Sequence, residues 1–449
     1  MKKVIVTVIL ALATSAQAQT AWTAQQCMQY AVEHNRDVKR AMLELDNYKA
    51  NKTGAIGSFL PVVDAGIGAQ YNFGRAIDPE TNGYTDVSTF HNGYSLQASM
   101  PVFDGFCRLN ALKAAKASVL MGHQALRQQQ DQTALSVLQA FANVAFYEGM
   151  VRMAEEKVEE TTLLLRQTRV LEEVGRKSAA DVAQVESQKA EADYELTRQE
   201  NLRVSAMLEL KKEMALPIDS ALSCLVSTAG TDRSDGLYCE YQRLVPSVQT
   251  VCTTNTNAWH PALQQQYHTM QARLYEWRQA RAALLPALSL SAGLNTTYFK
   301  TLHSETVASF SNQFKNNMGE YVGATLSIPL FNRLQTVTNI RRAKNNYRIA
   351  REAYEDKQQE LEKLSREAWQ DLNAYIKQTE QMEKKVEADS LAYQLTRRQF
   401  EEGLSTAIDL HTTSSQLLQS KATLLQCRLM AMVKAHLVRY YNGEMIWIE

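Results

Sequence analysis

This sequence has little proline, little glycine and no net charge. Its 449 residues include 8 Pro and 18 Gly, so loops do not dominate the chain and most of it is predicted to form regular elements. Lys and Arg together number 48, as do Asp and Glu, which removes the electrostatic reason to expect a nucleic-acid partner. Beyond residue 18 no apolar run approaches the roughly 18 residues of a spanning helix, which argues against an ordinary inner-membrane protein.

Motifs of nucleotide binding and catalysis are also missing. The sequence contains no Walker A motif, no GxGxxG after a predicted strand and no GxSxG. The histidines include no HExxH or HxH grouping, so a metal site at His260 and His268 has little support. We therefore predict a protein that is not an enzyme and needs no cofactor, and we assign it no catalytic, cofactor-binding or metal-binding residues.

The first residues have the pattern of an export signal. Lys2 and Lys3 precede an apolar segment at 4–13, and Ala16-Gln17-Ala18 has the small residues of a cleavage site. Residues 1–18 are therefore predicted to be a signal peptide. Cys27 lies well beyond the predicted cut, which argues against an N-terminal lipid anchor.

Two halves of the chain repeat the same landmarks in the same order. Leu60-Pro61 matches Leu285-Pro286 at a shift of 225, and at a shift of 228 Pro101-Val102-Phe103-Asp104 matches Pro329-Leu330-Phe331-Asn332. At the same shift of 228 Gly175 matches Gly403. Such matches predict an internal duplication. We place the first repeat at 19–216, a joining segment at 217–258 and the second repeat at 259–449. Each repeat is predicted to contain a helix, a β-hairpin (58–104 or 285–331) and a long helical hairpin with its tip near 175–181 or 403–409.

Four segments alternate between apolar and polar residues with a period of two, at 63–73, 94–102, 288–295 and 321–328. Runs of about ten residues fit tilted membrane strands, although a soluble sandwich has the same alternation. Long polar loops at roughly 74–90 and 299–319 favour the membrane, as do prolines at the opposite strand ends. Aromatic residues near both ends predict two interfacial girdles, formed by Tyr71, Phe73, Phe90, Tyr94, Tyr298 and Tyr321 and by Phe59, Phe103 and Phe331.

Four strands cannot close a barrel alone, and an open sheet edge in lipid leaves backbone groups unpaired. Two chains would supply eight strands, whose interior side chains fill. Three would supply twelve and begin to leave a lumen. A conduit therefore favours a trimer, with Leu290 facing lipid and Ser291 facing the lumen.

Two helical stretches are unusually long. The segments from about Phe106 to Val174 and from Leu334 to Glu401 have no proline and almost no glycine. Each would extend roughly 100 Å as an α-helix. Apolar residues recur every three to four positions, including Ala343, Tyr347 and Ala350, which predicts a coiled-coil-like packing stripe.

Matching turns end both long helices. Gly175-Arg176-Lys177-Ser178 and Gly403-Leu404-Ser405-Thr406 each offer a glycine for a left-handed conformation and then an N-cap hydroxyl. Asp181 and Asp409 follow three residues after these hydroxyls. The carboxylates have two open interpretations: they complete capping boxes, or they form acidic rings at the narrow end of an oligomeric tube.

Together these motifs resemble the TolC-like outer membrane efflux family. The resemblance rests on Trp22-Thr23-Ala24-Gln25-Gln26-Cys27 through His34-Asn35, the paired Leu-Pro strand starts, Pro101-Val102-Phe103-Asp104-Gly105 with its partner, and the two Gly-x-x-Ser/Thr-x-x-Asp tips. It implies a mixed α and β fold in which four transmembrane strands per chain join a trimeric twelve-stranded β-barrel. That barrel is continuous with a periplasmic α-barrel of long helices.

The resemblance also implies partners and sites. The expected partners are an inner-membrane transporter and a periplasmic adaptor that docks at the tips, namely at Gly175, Arg176, Lys177, Ser178, Gly403, Leu404, Ser405 and Thr406. Some family members close the mouth with two carboxylates three residues apart in the second repeat. Here Asp409 matches the first of them, but Thr412 stands at the second, and Gln184 follows Asp181 in the first repeat. The candidate gate is therefore Asp181, Asp409 and Thr412, with a weaker cation block expected.

The sequence predicts a passive outer membrane duct of a tripartite efflux or type I secretion system, which reaches into the periplasm. The alternative is a periplasmic adaptor or coiled-coil scaffold of the envelope, which would lack alternating strand pairs. Export permits cystine formation. The three cysteines of the joining segment, Cys224, Cys239 and Cys252, leave open whether a disulfide forms there.

Overall fold

The computed structural model describes residues 22–77, 82–86, 88–220, 222, 224, 259–302 and 308–447. The predicted signal peptide lies outside these residues, as does most of the predicted joining segment with Cys239 and Cys252. Secondary structure follows the sequence prediction of a mixed α and β chain with long helices and four main strands.

The first half begins with two helices and ends with a long helical hairpin. Its elements are α1 (Ala24–His34), α2 (Arg36–Gly57), β1 (Val62–Asn72), β2 (Arg75–Ile77), β3 (Tyr84–Asp86), β4 (Thr89–Phe103), α3 (Cys107–Glu173) and α4 (Ala179–Glu213).

The second half has the same main elements in the same order. Among the described residues it has one helix fewer at its start, and a short helix stands in its hairpin loop where the first half has β2 and β3. Its elements are α5 (Pro261–Ala282), β5 (Ala287–Thr301), α6 (Phe310–Asn316), β6 (Gly319–Ser327), α7 (Gln335–Glu401) and α8 (Ala407–Tyr441). The long helices α3 and α7 each have 67 residues, and α4 and α8 each have 35. These equal lengths fit the internal duplication, which is confirmed.

The helical segment before the first hairpin is broken, where the sequence predicted one helix. Thr23 and Gln26 form a capping box at the start of α1. Asn35 then leaves the helical conformation with ψ 140°. Its side chain accepts from the backbone N–H of Asp37 at 2.7 Å and donates to the carbonyl of Glu213 at 2.8 Å. These bonds satisfy backbone groups at the break, so the chain can turn and start α2.

The four main strands form one antiparallel sheet in the order β1-β4-β5-β6. The strands β1 and β6 therefore lie at its two edges. Strands β4 and β5 have 15 residues each and extend beyond the alternating segments seen in the sequence. The small strands β2 and β3 pair with each other in the loop between β1 and β4.

Pairing register separates the sheet into two faces. Ala65, Leu96 and Leu294 are successive cross-strand partners and belong to what we call the apolar face. Gly66, Ser95 and Asn295 are the adjacent partners and belong to the polar face. A period of two assigns every other residue of each strand to the same face.

One predicted girdle residue lies on the other face. Tyr321 pairs with Gly293, which pairs with Gln97, so its ring is on the polar face. A Cβ at Gly293 would come within 2.6 Å of the Tyr321 ring, which shows how closely the ring covers this glycine. The girdle prediction was therefore wrong for Tyr321.

The described residues form two compact units. One contains residues up to Leu43, those from His123 to Gln264 and those from Asp356 onward, and the other contains Glu44–Gly122 and Gln265–Glu355. The first unit has a core of side chains from several helices, including Met28, Leu138, Phe141, Leu372 and Met432. Among the described helices, α3 contains an 18-residue window whose mean hydropathy is high enough for a membrane-spanning helix, but 56% of that window is buried. Its hydropathy is thus that of a core helix.

Four cysteines lie among the described residues, and none of the four forms a disulfide. The backbone of Cys224 forms an isolated parallel β-bridge with Trp22, and its side chain hydrogen bonds with the thiol of Cys27. This hydrogen bond and burial raise the pKa of Cys27. Cys27 and Cys427 are buried, whereas Cys107 is half-buried.

Candidate functional site

The turn between α3 and α4 closes the tip of the first helical hairpin. Gly175 has φ +73°, which lies in the left-handed region. Its N–H donates to the carbonyl of Glu172 at 2.8 Å, and that of Arg176 donates to the carbonyl of Leu171 at 2.8 Å. This is the hydrogen-bond pattern of a Schellman motif, which satisfies carbonyls at the end of α3.

The second tip, between α7 and α8, has the same geometry. Gly403 has φ +79°, and Leu404 donates to the carbonyl of Gln399 at 2.7 Å. A Cβ at Gly175 or Gly403 would meet nothing within 4 Å. A larger residue at either glycine would therefore be disfavoured by backbone conformation and not by a steric clash.

Capping boxes begin the returning helices at both tips. Ser178 and Thr406 are extended N-caps whose hydroxyls accept from the backbone N–H of Asp181 and Asp409, each at 3.2 Å. In return, the Asp181 carboxylate accepts from the Ser178 N–H at 3.0 Å. The Asp409 carboxylate accepts from the Thr406 N–H at 3.1 Å. Capping, one of the two interpretations left open by the sequence, is thus present at both acids.

These hydrogen bonds favour the ionised carboxylates. The Ser178 N–H and hydroxyl lower the pKa of Asp181, and the Thr406 hydroxyl and N–H lower the pKa of Asp409. Both acids are therefore charged at neutral pH. In each residue the capping bonds use Oδ2, so the cap does not use the other carboxylate oxygen.

A small apolar cluster joins the two tips. Val185, Phe400, Ala407 and Leu410 are buried together, with Tyr393 packed against them. This cluster brings together the ends of α4, α7 and α8. The buried side chain of Gln188 also donates to the carbonyl of Ala407 at 3.2 Å, which ties α4 to the start of α8.

The predicted docking residues differ in exposure. Arg176 and Leu404 are exposed, and Leu404 is 76% exposed. Lys177 is half-buried, with its ammonium 4.2 Å from the centre of the Phe400 ring. Ser405 is half-buried and donates to Asp409 at 3.4 Å. Lys177 and Ser405 are therefore less exposed than Arg176 and Leu404, and both make contacts within the tips.

The remaining candidate gate residue makes a local contact. Thr412 donates through its hydroxyl to the Ile408 carbonyl at 2.8 Å, one turn earlier in α8. Gln184, its counterpart in α4, is exposed. Neither adds a carboxylate beside the capping acids.

Sequence reasoning missed a pair of polar contacts between helices. The Lys157 ammonium contacts Glu160 at 3.1 Å and also the hydroxyl of Ser414, while the Tyr393 hydroxyl bonds Glu160. Lys385 contacts Asp389 at 2.7 Å and Ser420 at 2.6 Å. Lys157 and Lys385 are 228 residues apart, the shift of the internal repeat. This equivalence could have indicated that the two lysines have similar roles, but it does not identify the serine on α8 that each lysine contacts.

Comparison with known proteins identifies the family. The sequence model of the family described as "Outer membrane efflux protein" matches residues 27–215 and 255–433 of this chain. The outer membrane efflux protein BepC of Brucella suis is 21% identical over 379 residues, which cover 84% of this chain and 77% of BepC.

Solved structures share the fold. CusC superposes with a TM-score of 0.79 at 16% identity, over 95% of each chain. VceC of Vibrio cholerae gives 0.76 at 14% identity, over 94% of this chain and 96% of VceC. The family is one of channel proteins. The chain belongs to the outer membrane efflux protein family and is an efflux channel of the outer membrane that extends into the periplasm.

Proposed function

We propose that the chain acts as a homotrimer and forms a passive exit duct. The observation that carries this proposal is the four-stranded sheet with β1 and β6 at its edges. An edge strand in lipid leaves N–H and C=O groups without partners, each at a cost of several kcal/mol. Pairing β6 of one copy with β1 of the next removes both edges when the ring closes.

Three copies fit a conduit better than two. Twelve strands leave a lumen, whereas the interior of eight is filled by side chains. The polar face includes Gly66, Ser95, Ser291 and Asn295, and these small polar residues suit a water-filled interior. The apolar face then meets lipid.

The tips are the proposed docking site for a periplasmic adaptor. Arg176 and Leu404 supply exposed cationic and apolar contacts. Gly175, Lys177, Ser178, Gly403, Ser405 and Thr406 set the shape of the turns that present them. The sequence contains no Walker A motif, no GxGxxG after a predicted strand and no GxSxG. Energy for export therefore comes from an inner-membrane transporter, and the protein is not an enzyme.

Asp181 and Asp409 are the proposed charges of a periplasmic mouth, with Thr412 nearby on α8. Asp409 is exposed and Asp181 is half-buried, and each cap leaves Oδ1 unused. A trimer would place three copies of each carboxylate around the axis. Because Thr412 replaces the second carboxylate, this gate would bind cations more weakly than the gates of family members that have two acidic rings.

Subunit count and conduction test the trimer. Protein extracted from outer membranes should migrate as a heat-sensitive trimer and give a mass of three chains by native mass spectrometry. The same trimers should form pores in planar bilayers. A folded, membrane-extracted protein that is monomeric and forms no pores would contradict the proposal.

A further inference from the structure

The loop between β5 and β6 contains a short helix, α6, that is fastened to β5. The Gln313 amide accepts from the Phe299 N–H and donates to the Phe299 carbonyl, both at 2.8 Å. Asn317 donates to the Thr297 carbonyl at 2.8 Å, and the Thr296 hydroxyl donates to the Phe314 carbonyl at 2.8 Å. The sequence had predicted only a long polar loop here.

These bonds complete the edge of β5 where β6 is absent. Pairing between β5 and β6 ends at Asn295 and Gly319, although β5 continues to Thr301. The Gln313 and Asn317 side chains supply hydrogen-bond partners to the backbone of β5 just beyond that point. Unpaired backbone groups at membrane depth are unfavourable, so such an edge requires substitutes for a strand.

The apolar side of α6 lies on the apolar face of the sheet. The ring of Phe314 is 5.5 Å from that of Tyr94, and the ring of Phe310 is 5.4 Å from that of Tyr298. Tyr94 pairs with Ile67 and Thr296, so it belongs to the face of Ala65, Leu96 and Leu294. The loop therefore folds back over the side of the sheet that we assign to lipid.

An open groove of about 250 Å³ remains between α6 and the strands. Its lining is almost wholly apolar and includes Ala65, Ile67, Leu96, Leu294, Phe314 and Met318. Met318, in the lining, is 47% exposed, and Phe310, on α6 outside the lining, is 48% exposed. Charged residues appear beside it, with Lys315 on α6 and Glu320 on the apolar face at the start of β6, both exposed.

We propose that this groove binds one acyl chain of a membrane lipid, with α6 as its roof at the membrane interface. The inference rests on the proposed orientation of the apolar face toward lipid. The groove is continuous with that face, so hydrocarbon chains are its available apolar neighbours. Aromatic rings and flanking charges at this height fit the boundary between acyl chains and headgroups.

Fluorescence quenching by brominated lipid tests the groove in intact trimers. Tryptophan is introduced separately by Met318→Trp in the groove, Leu290→Trp elsewhere on the apolar face and Ser291→Trp on the polar face. Phosphatidylcholine with bromine on its acyl chains is titrated into detergent micelles, and the wild type measures the signal of the five native tryptophans. A groove-filling substitution, Ala65→Phe, is added to Met318→Trp.

A bound chain has more carbon contacts than a chain passing along the wall, and each contact adds dispersion attraction. Half-maximal quenching of Met318→Trp is therefore expected at a lipid mole fraction at least about threefold lower than for Leu290→Trp. Ala65→Phe should remove this difference, and Ser291→Trp should remain unquenched.

Equal titration curves for Met318→Trp and Leu290→Trp would mean ordinary lipid contact and would overturn the groove. Quenching of Leu290→Trp without quenching of Met318→Trp would mean that another copy or another segment covers α6, and would also overturn it. Quenching of Ser291→Trp in place of Leu290→Trp would instead reject the proposed orientation of the sheet, and the groove assignment with it.

Discussion

The two long helices have the same length but different surroundings. Both α3 and α7 have 67 residues and end at a left-handed glycine. In the middle of α3, Leu138 and Phe141 are at most 1% exposed. At the position 228 residues after Phe141, α7 has Trp369, which is 40% exposed. Duplication has kept the length and the turns, whereas burial has diverged.

An extra helix accounts for much of this difference. The helices α2 and α5 each have 22 residues and precede equivalent strands, so they are counterparts. Among the described residues, α1 has no counterpart in the second half. Its residues Met28, Ala31 and Val32 belong to the core that contains the middle of α3. The additional helix thus covers α3, while α7 keeps surface ion pairs such as Arg351–Glu355 and Arg366–Glu362.

The largest expected effect compares the equivalent positions Phe141 and Trp369. Phe141→Ala removes a buried ring and leaves a cavity, which should destabilise each chain by about 3–5 kcal/mol. Trp369→Ala removes a partly exposed ring and should cost about 1 kcal/mol. Trimer yield and the temperature at which trimers dissociate on gels measure both variants. Equal losses would break the comparison and would mean that another copy buries Trp369 in the trimer.

A second comparison uses the strands. Leu290→Arg places a charge on the apolar face and should cost roughly 2–4 kcal/mol per chain near the bilayer midplane. Ala65 lies 225 residues earlier and on the same face. Ala65→Arg should therefore cost about as much as Leu290→Arg. Ser291→Arg should assemble well and change mainly ion selectivity.

Yield from outer membranes and conductance separate these arginine variants. A greater loss of trimers for Ser291→Arg than for Leu290→Arg would reverse the assignment of the faces. A loss for Leu290→Arg without a loss for Ala65→Arg would show that the two halves of the sheet lie at different depths.

Much of the fold was predictable because it depends on local periodicity. Alternation located the strands, the scarcity of proline and glycine located the long helices, and the repeated Gly-x-x-Ser/Thr-x-x-Asp pattern predicted the caps. The break at Asn35 was not predicted, because it depends on a bond to Glu213, 178 residues away.

The functional surfaces were predicted less completely. Periodicity put Leu290 and Ser291 on opposite faces, but it gave no sign that α6 would return to β5. That contact depends on side-chain amides that replace a strand, and an amide in a polar loop has no distinctive sequence pattern. The sequence placed Lys177 at the tip but did not predict that it lies over Phe400 of the other hairpin, because that contact joins residues 223 positions apart.

The equivalent glycines test whether the two tips act alike. Gly175→Val and Gly403→Val would force a β-branched residue into a left-handed conformation, at about 1–2 kcal/mol each. Trimers should still assemble, and export should fail because the docking turn is distorted. Gly175→Asn and Gly403→Asn are the matched controls, since Asn tolerates this conformation. Normal export by both valine variants would remove the turns from the docking proposal.

The smallest expected effect distinguishes a gate from a cap at the equivalent acids. Because capping lowers the pKa of both carboxylates, their stabilisation is complete above the usual aspartate pKa and is lost as pH falls through the lowered value. Asp409→Ala and Asp181→Ala should therefore weaken the tips at neutral pH and lose that acid sensitivity. If the acids also line the mouth, each variant should raise conductance in planar bilayers and weaken block by multivalent cations. An effect for Asp409→Ala alone would limit the gate to the second repeat. Unchanged conductance and block in both variants would leave the two carboxylates as helix caps.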